Sequence, residues 1–440
     1  MLVRIKHNIL IALCKLNVVY PKLLGFGYWY YKNVFLKKNL KSYNPEHKLL
    51  KIVNTAIKNV PYYRDRYKEI NSLSDFKSQI KFIDKDEVMG NWENFIASGT
   101  SKSKIITGTT GGTSGKPLKL VIPKNRYVFE LGTMYTMWEN VGWKGQVRAV
   151  LRNTKLDDNK NFIVNPIKRE FVFDGFRTSD SHYEMVYQTM KAYKIKYLHA
   201  YPSSAYQFSK YLYRHKKDVS FIKAFLCGSE GVLPEQTHLI SDKMGISIYH
   251  WYGHSEKLIL GGYCYGSDLI HIEPTYGYFE LINEHGNQVH EIGEIGEIVG
   301  TTLHNPFMPL IRYKTGDYAE YAGDYCEHCN RHLPLLRKVY GRWDKNKIYK
   351  SDGTFITTTA LNLHSEIYNK IEGIQYVQKS IGELIVKIIR GENFDLKDKE
   401  ILETHYKNAF GEENKVEIIF VETLEKLPNG KFINLISEIN

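Results

Sequence analysis

Residues 107–117 read TGTTGGTSGKP: four Gly, four Thr, one Ser, one Lys and one Pro. The stretch separates SKSKII (101–106) from LKLVIP (118–123), whose alternation is that of a strand start. Such residues build no core. Two readings compete. Gly, Ser and Thr are ordinary in a surface loop or a long hairpin. They also suit a phosphate cradle, where glycines let successive N–H groups approach an anion and hydroxyls add donors. A Walker A loop would place glycine where Thr110 stands, and Ser or Thr where Pro117 stands. That form is excluded twice, so the remainder of the chain has to decide between loop and cradle.

The 440 residues exceed one ordinary core, so two or three domains are expected. Lys and Arg outnumber Asp and Glu by 60 to 48, a net charge of +12. That balance suits nucleic acid, an anionic membrane surface or anionic nucleotide ligands. The lysines are spread rather than blocked, which disfavours nucleic acid. Five cysteines, an odd number in a long chain, give no disulfide framework and fit a reducing compartment. The start, MLVRIKHNILIALCKLNVVYPKLLGFGYWYYKN, is basic and then apolar. Lys15 interrupts the run that a signal peptide needs, and Lys15, Pro21 and Lys22 break a membrane span of about 20 apolar residues. The segment therefore reads as an amphipathic helix. It either packs on the body or lies on a membrane face, with a Trp/Tyr cluster at 28–31 in favour of the second. The expected location is cytoplasmic, with peripheral contact at the inner membrane face under that second reading.

From about 46 to 100 the periodicity is helical. From 105 to about 300, strand-like runs such as RAVLRN, IKYLHAYPSS, FIKAFLCGSE, ISIYHWYG, YGYFELI and GEIGEIVGTTL alternate with helical ones such as AYQFSKYLYRH. This pattern predicts an α/β architecture with largely buried sheets. After about 341, NKIYKSDGTFI, IQYVQKSIGELIVKII and KVEIIFVETL read as strands around two helices, a small α+β unit. The division predicted is an N-terminal helical segment 1–45, a large α/β unit 46–341 and a small α+β unit 342–440.

Five short signals stand in order around this core. They are the loop at 107–117, LCGSEGVLPEQ (226–236), YHWYGHSEK (249–257), RYKTGDYAEY (312–321) with GRWDK (341–345), and LPNGKF (427–432). The ordered set resembles the adenylate-forming superfamily of acyl-CoA ligases. Within it, the set is similar to the phenylacetate–CoA ligase branch and its CapK-like members of capsular polysaccharide biosynthesis. The resemblance runs from about residue 45 to the end. It implies a large multi-sheet α/β adenylation domain carrying a small, mobile C-terminal domain. It also implies ATP-dependent activation of a carboxylic acid as an acyl-adenylate, with release of pyrophosphate and transfer to a thiol.

The resemblance assigns expectations residue by residue. Thr109, Thr110, Gly111, Gly112, Thr113, Ser114 and Gly115 would surround the β- and γ-phosphates. Gly228, Ser229 and Glu230 would flank adenine, with Tyr252 and Gly253 beside it. Glu256 would hold Mg²⁺, a hard cation that wants an oxygen ligand. Asp317 would accept both ribose hydroxyls of ATP or AMP, a task suited to a carboxylate. Arg342 would contact ribose or phosphate, and Asp344 falls at the hinge, where Lys345 replaces a usual acidic residue. Lys431 would neutralise charge between the carboxylate and the α-phosphate. Each has a plainer reading: Glu256 as a helix-start carboxylate, TGD as a turn, Lys431 as a solvated lysine. The acceptor expected is CoA. The alternatives are a non-CoA acceptor in surface-polysaccharide assembly and a non-catalytic nucleotide-binding scaffold.

CEHC at 326–329 is a C-x-x-C turn, and CYGSDLIH places Cys264 and His271 earlier. Cys264, Cys326, Cys329 and His271 would make a closed, structural zinc site. His254, His328 and His332 compete for the fourth position, and three unligated cysteines are the plainer reading.

Overall fold

The computed structural model describes residues 9, 25–110, 118–264, 267–340, 347–358, 361, 367, 370–391, 393–425 and 435–439. The short apolar runs in the middle of the chain become parallel strands. In order come helix α1 (Gly25–Tyr30), helix α2 (Glu46–Asn59), the hairpin β1 (Ile105–Thr109) and β2 (Lys119–Pro123), and helix α3 (Arg126–Met137). Next are β3 (Arg148–Arg152), β4 (Phe162–Asn165), β5 (Glu170–Asp174), α4 (Asp180–Ala192), β6 (Tyr197–Ala200), α5 (Pro202–Arg214), β7 (Ala224–Gly228) and β8 (Ser247–Gly253). Strands β9 (Leu260–Tyr263), β10 (Ile270–Ile272), β11 (Gly277–Ile282), β12 (Ile295–Thr302), β13 (Tyr313–Cys326) and β14 (Arg331–Tyr340) complete this part of the chain.

These form one 12-stranded sheet in the order β11-β12-β13-β14-β10-β9-β8-β7-β6-β3-β5-β4, beside the two-stranded β1–β2 hairpin. Strands β5, β3, β6, β7 and β8 pair in parallel, and the rest of the sheet is antiparallel. All five residues of β7 are buried, which explains its unbroken apolar sequence. Helices α4 and α5 make crossovers, and α5 starts with Pro202, whose fixed φ and missing N–H suit a first helical turn. The sheet brings the carboxyl ends of the parallel strands to one edge, where ligands of open α/β sheets bind.

Helical segments near the start of the chain also pack on this body. Leu49, Ile52, Val53, Ala56 and Ile57 form one buried face of α2, at helical spacing. Helix α1 continues through a π-helical stretch, Tyr31–Leu36, and buries Tyr28, Tyr31 and Leu36 against Tyr135 and Met137 of α3. Of the two readings of the N-terminal segment, packing on the body holds for residues 25–36.

The C-terminal part begins with the hairpin β15 (Lys347–Tyr349) and β16 (Phe355–Thr357). A four-stranded sheet, β19-β18-β17-β20, then forms from β17 (Ile371–Gln378), β18 (Glu383–Arg390), β19 (Lys415–Phe420) and β20 (Leu435–Ser437). One helix, α6 (Leu396–Phe410), packs on it through Leu402, Tyr406, Ala409 and Phe410. Sequence periodicity predicts two helices here; most of 359–369 lies outside the described residues.

A buried ion pair on the sheet also holds the end of a short helix, Leu73–Gln79. Arg312 donates from Nε and Nη2 to both carboxylate oxygens of Glu280, at 3.2 and 2.9 Å. Its Nη1 donates to the carbonyls of Lys77 and Ile80, at 2.9 and 2.7 Å. Burial raises the Glu280 carboxyl above its ordinary range, against the pull of Arg312. Arg312→Ala leaves that carboxylate buried and unpaired and should cost about 3–5 kcal/mol, read as a lower urea midpoint. Arg312→Lys should recover only part of this, because an ammonium cannot reproduce the fork.

Candidate nucleotide site and a cysteine–histidine cluster

Strand β7 ends at Gly228, where a Cβ would lie 2.5 Å from the indole of Trp251. Only glycine fits without moving that ring. Ser229 follows with φ 74°, a left-handed conformation costly for a residue with a Cβ and concentrated at functional sites. Its hydroxyl accepts from Arg152 Nη2 at 2.9 Å. Arg152 also reaches His199 Nε2 at 2.7 Å and lies 4.3 Å over the Tyr201 ring. The ends of β3, β6 and β7 are thus tied together. Glu230, 6% exposed, accepts the backbone N–H of Ser203 at 3.1 Å, in the first turn of α5. An anion is favoured at that helix end.

Strand β8 ends in Tyr252 and Gly253. The Tyr252 hydroxyl donates to Asp317 Oδ2 at 3.0 Å. Asp317 is buried on β13, and its backbone N–H donates to Thr315 Oγ1 at 3.1 Å. Glu256 stands just beyond the end of β8. Its Oε1 accepts the Tyr313 hydroxyl at 3.2 Å, and its Oε2 lies 3.1 Å from His254 Nδ1. The Ile259 backbone N–H donates to His254 Nε2 at 3.3 Å, so the imidazole proton sits on Nδ1 and points at Glu256. Burial works to raise the Glu256 carboxyl, but the His254 hydrogen bond, a backbone N–H and Lys85 hold it down at about 2. Glu256 is therefore an anion at neutral pH. Burial, and then the Asp317 charge, push the Tyr252 phenol well up, so it remains the donor.

Thr109 ends β1. Thr110 N–H donates to the Leu118 carbonyl at 3.0 Å, and Thr110 Oγ1 accepts the Leu118 N–H at 2.9 Å. These bonds close the base of the loop, so TGTTGGTSGKP caps a hairpin whose register pairs Thr109 with Lys119. Gly111, Gly112, Thr113, Ser114 and Gly115 lie outside the described residues, as do Arg342, Asp344, Lys345 and Lys431. The structure thus brings Tyr252 to Asp317, ties Ser229 to Arg152 at the end of β3, and ties Glu230 to the first turn of α5.

Sequence reasoning missed Arg152, Tyr313 and the His254–Glu256 contact. Arg152 carried a weak signal, a charge closing the apolar run RAVLR. Tyr313 carried none, since an aromatic alternating along a strand reads as core.

On the far side of β9, Cys264, His271, Cys326 and Cys329 converge, with their ligand atoms all within 4.8 Å of one another. Cys329 Sγ is 3.9 Å from His271 Nδ1. Two hairpin turns supply them: β9–β10 gives Cys264 and His271, and β13–β14 gives Cys326 and Cys329. Of the competing histidines, His254 is bound to Glu256 and the His332 ring lies 4.6 Å from Tyr325; His328 is not among the four. Zinc lies about 2.3 Å from sulfur and about 2.0–2.1 Å from nitrogen in tetrahedral sites, so a cage of this size fits it.

Comparison with known proteins bears on the fold. Residues 348–438 match the CapK C-terminal domain. The chain is 23% identical over 398 residues to Protein CapK of Staphylococcus aureus, covering 86% of this chain and 85% of that protein. A structure of 2-hydroxyisobutyryl-CoA ligase, in complex with 2-HIB-AMP and CoA in the thioesterification state, superposes with a TM-score of 0.57. It is 16% identical, over 89% of each chain. An open conformation of that ligase gives 0.53 at 16% identity, over 89% of this chain and 90% of that one. The chain thus shares its fold with this CoA ligase.

Tyr252→Phe removes one donor from a buried carboxylate. It should cost roughly 1.5–3 kcal/mol of stability, seen in the urea transition, because the bond involves a charged group.

Proposed function

We propose that this protein activates a carboxylic acid with ATP and passes the acyl group to a thiol, with CoA as acceptor. The observation that carries this reading is the Tyr252–Asp317 hydrogen bond, beside Glu256, at the carboxyl edge of the parallel strands. In the first step a carboxylate oxygen bonds to the α-phosphorus and the bond to pyrophosphate breaks. In the second a thiolate attacks the acyl carbon and AMP leaves.

Both steps gather negative charge, so the work is positioning and neutralisation. Asp317 is suited to accept ribose hydroxyls, with Tyr252 fixing its orientation. Tyr252, Gly253 and the 228–230 strand end would flank adenine. Thr109 and Thr110 would start the phosphate loop that Gly111, Gly112, Thr113, Ser114 and Gly115 complete. Glu256 would hold Mg²⁺, whose charge offsets that of the phosphates. Arg342 would reach ribose or phosphate, and Lys431 would enter from the small domain for the first step alone. A non-CoA acceptor, such as a sugar in surface-polysaccharide assembly, is the second reading, favoured by the similarity to Protein CapK.

Exchange of labelled pyrophosphate into ATP, dependent on an added carboxylic acid, tests the reading. Exchange should occur, and Lys431→Ala should lower it about a hundredfold or more, as loss of one donor to transition-state charge does. Transfer from chemically made acyl-adenylate should be nearly spared in that variant. No exchange with any acid in a broad panel would leave a nucleotide-binding scaffold. Equal loss of both half-reactions would make Lys431 a structural residue. Thioester formation on adding CoA separates the two acceptors.

The cysteine–histidine cluster is proposed to hold one structural zinc, with all four positions filled by protein. Elemental analysis of protein from metal-replete cells should find about one zinc per chain, and Cys326→Ser should lose it. Absence of zinc in the wild-type protein would mean unligated cysteines.

A further inference from the structure

Charge is divided unevenly along this chain. Residues 1–45 hold eight Lys or Arg and no Asp or Glu. The other 395 residues then hold 52 basic and 48 acidic side chains, so one tenth of the chain supplies +8 of the net +12. Its described residues, 9 and 25–45, include the helix that starts at α1. One stripe of it, Tyr28, Tyr31 and Leu36, is buried on α3. The opposite stripe is apolar too, but faces solvent: Phe26 is 75% exposed, Tyr30 48% and Trp29 42%, with Val34 beyond them. Phe26 lies 5.7 Å from Trp29 and 6.3 Å from Tyr30 between ring centroids. Exposed large apolar residues elsewhere are mostly scattered, which is ordinary; four within nine residues are not.

Beside this stripe stand Lys37, Lys38 and Lys41, all exposed. None forms an ion pair with a described residue, whereas Lys32, on the inner side, is paired with Glu139. A solvent-facing row of Phe, Trp and Tyr bordered by lysines combines two attractions. Aromatic rings favour the headgroup level of a bilayer, and lysines are drawn to its anionic lipids. Among the described residues no helix is long and apolar enough to cross a membrane. We propose that this helix docks the protein on an anionic phospholipid bilayer, with the Phe26–Trp29–Tyr30 face at the headgroup level and Lys37, Lys38 and Lys41 on the lipid charge. The acyl acceptor would then be met at a membrane surface.

Co-sedimentation of the full-length protein with vesicles tests this without any assay of ligase activity. Binding is expected to vesicles of phosphatidylglycerol and phosphatidylcholine, and to fall at least tenfold on pure phosphatidylcholine or at high salt, since each lysine near the surface contributes to the attraction. Phe26→Ser with Trp29→Ser, and separately Lys37→Glu with Lys38→Glu, should each lower binding at least tenfold. Both variants alter exposed positions, so unchanged melting temperatures should show that the fold persists. Failure of the wild-type protein to bind anionic vesicles overturns the proposal. So does undiminished binding by the Phe26/Trp29 variant, or binding to polyuridylate as tight as to vesicles, which would make the segment a general polyanion site.

Discussion

The bond between Tyr252 and Asp317 sets a condition on the whole large sheet. Tyr252 is on β8 and Asp317 on β13, four steps apart in the strand order β13-β14-β10-β9-β8. Neighbouring strands lie about 4.8 Å apart, so a flat sheet would separate the two backbones by about 19 Å. A Tyr and an Asp side chain cannot span that and still meet at 3.0 Å. The antiparallel half must therefore curl back over the end of β8. Its register shifts supply the bending: β13 slips against both β12 and β14. Such irregularities add twist and re-aim side chains. The curl also sets Tyr313, at the start of β13, against Glu256.

This condition explains what the sequence could and could not tell. The parallel strands were legible because burial on both faces writes them as apolar runs, and the Gly-Ser-Glu and Tyr-Gly ends stand out against those runs. The ordering of the short signals sufficed to suggest the fold. The contact between the curled half and β8 was not legible, because nothing in a two-residue period states where a sheet bends. For the same reason Tyr313 gave no signal, and His254 stood as a competing metal ligand rather than the partner of Glu256. The choice of His271 among four histidines likewise depends on two hairpin turns meeting in space. Arg152 was hidden differently: its role comes from three strand ends lying side by side, a neighbourhood fixed by the order β7-β6-β3.

The carboxylates of the site are kept apart by their partners. Glu256 has an imidazole N–H and a phenol, Asp317 a phenol, and Glu230 the first turn of a helix. Three acids near one edge would repel one another if each lacked a donor. Each is instead matched to neutral donors, which orient an anion without cancelling its charge. That leaves them able to take hydroxyls or a cation, whereas Glu280, paired to a guanidinium fork, is closed to any ligand.

The C-terminal part meets this same edge. Ile348 and Ile356 of the β15–β16 hairpin pack with Phe176 and Tyr201 in one cluster, and Tyr201 lies beneath the Arg152 guanidinium. A cleft between them is lined by Tyr183, Ser203 and Gln207 on one side and by Lys350 and Phe355 on the other. Burial pulls the Lys350 ammonium below its ordinary range, against Asp352 and Glu413. A desolvated ammonium in a seam works against the apolar contacts that hold it. Among the described residues, Phe176 and Tyr201 are the side chains of the large part that join this cluster, and relative motion is the ordinary expectation for a modest seam. The seam thus suits a small unit that leaves and returns, as the two proposed half-reactions require. Because the hairpin rests on the residue under Arg152, its departure would be felt at Ser229, the strained position at the end of β7.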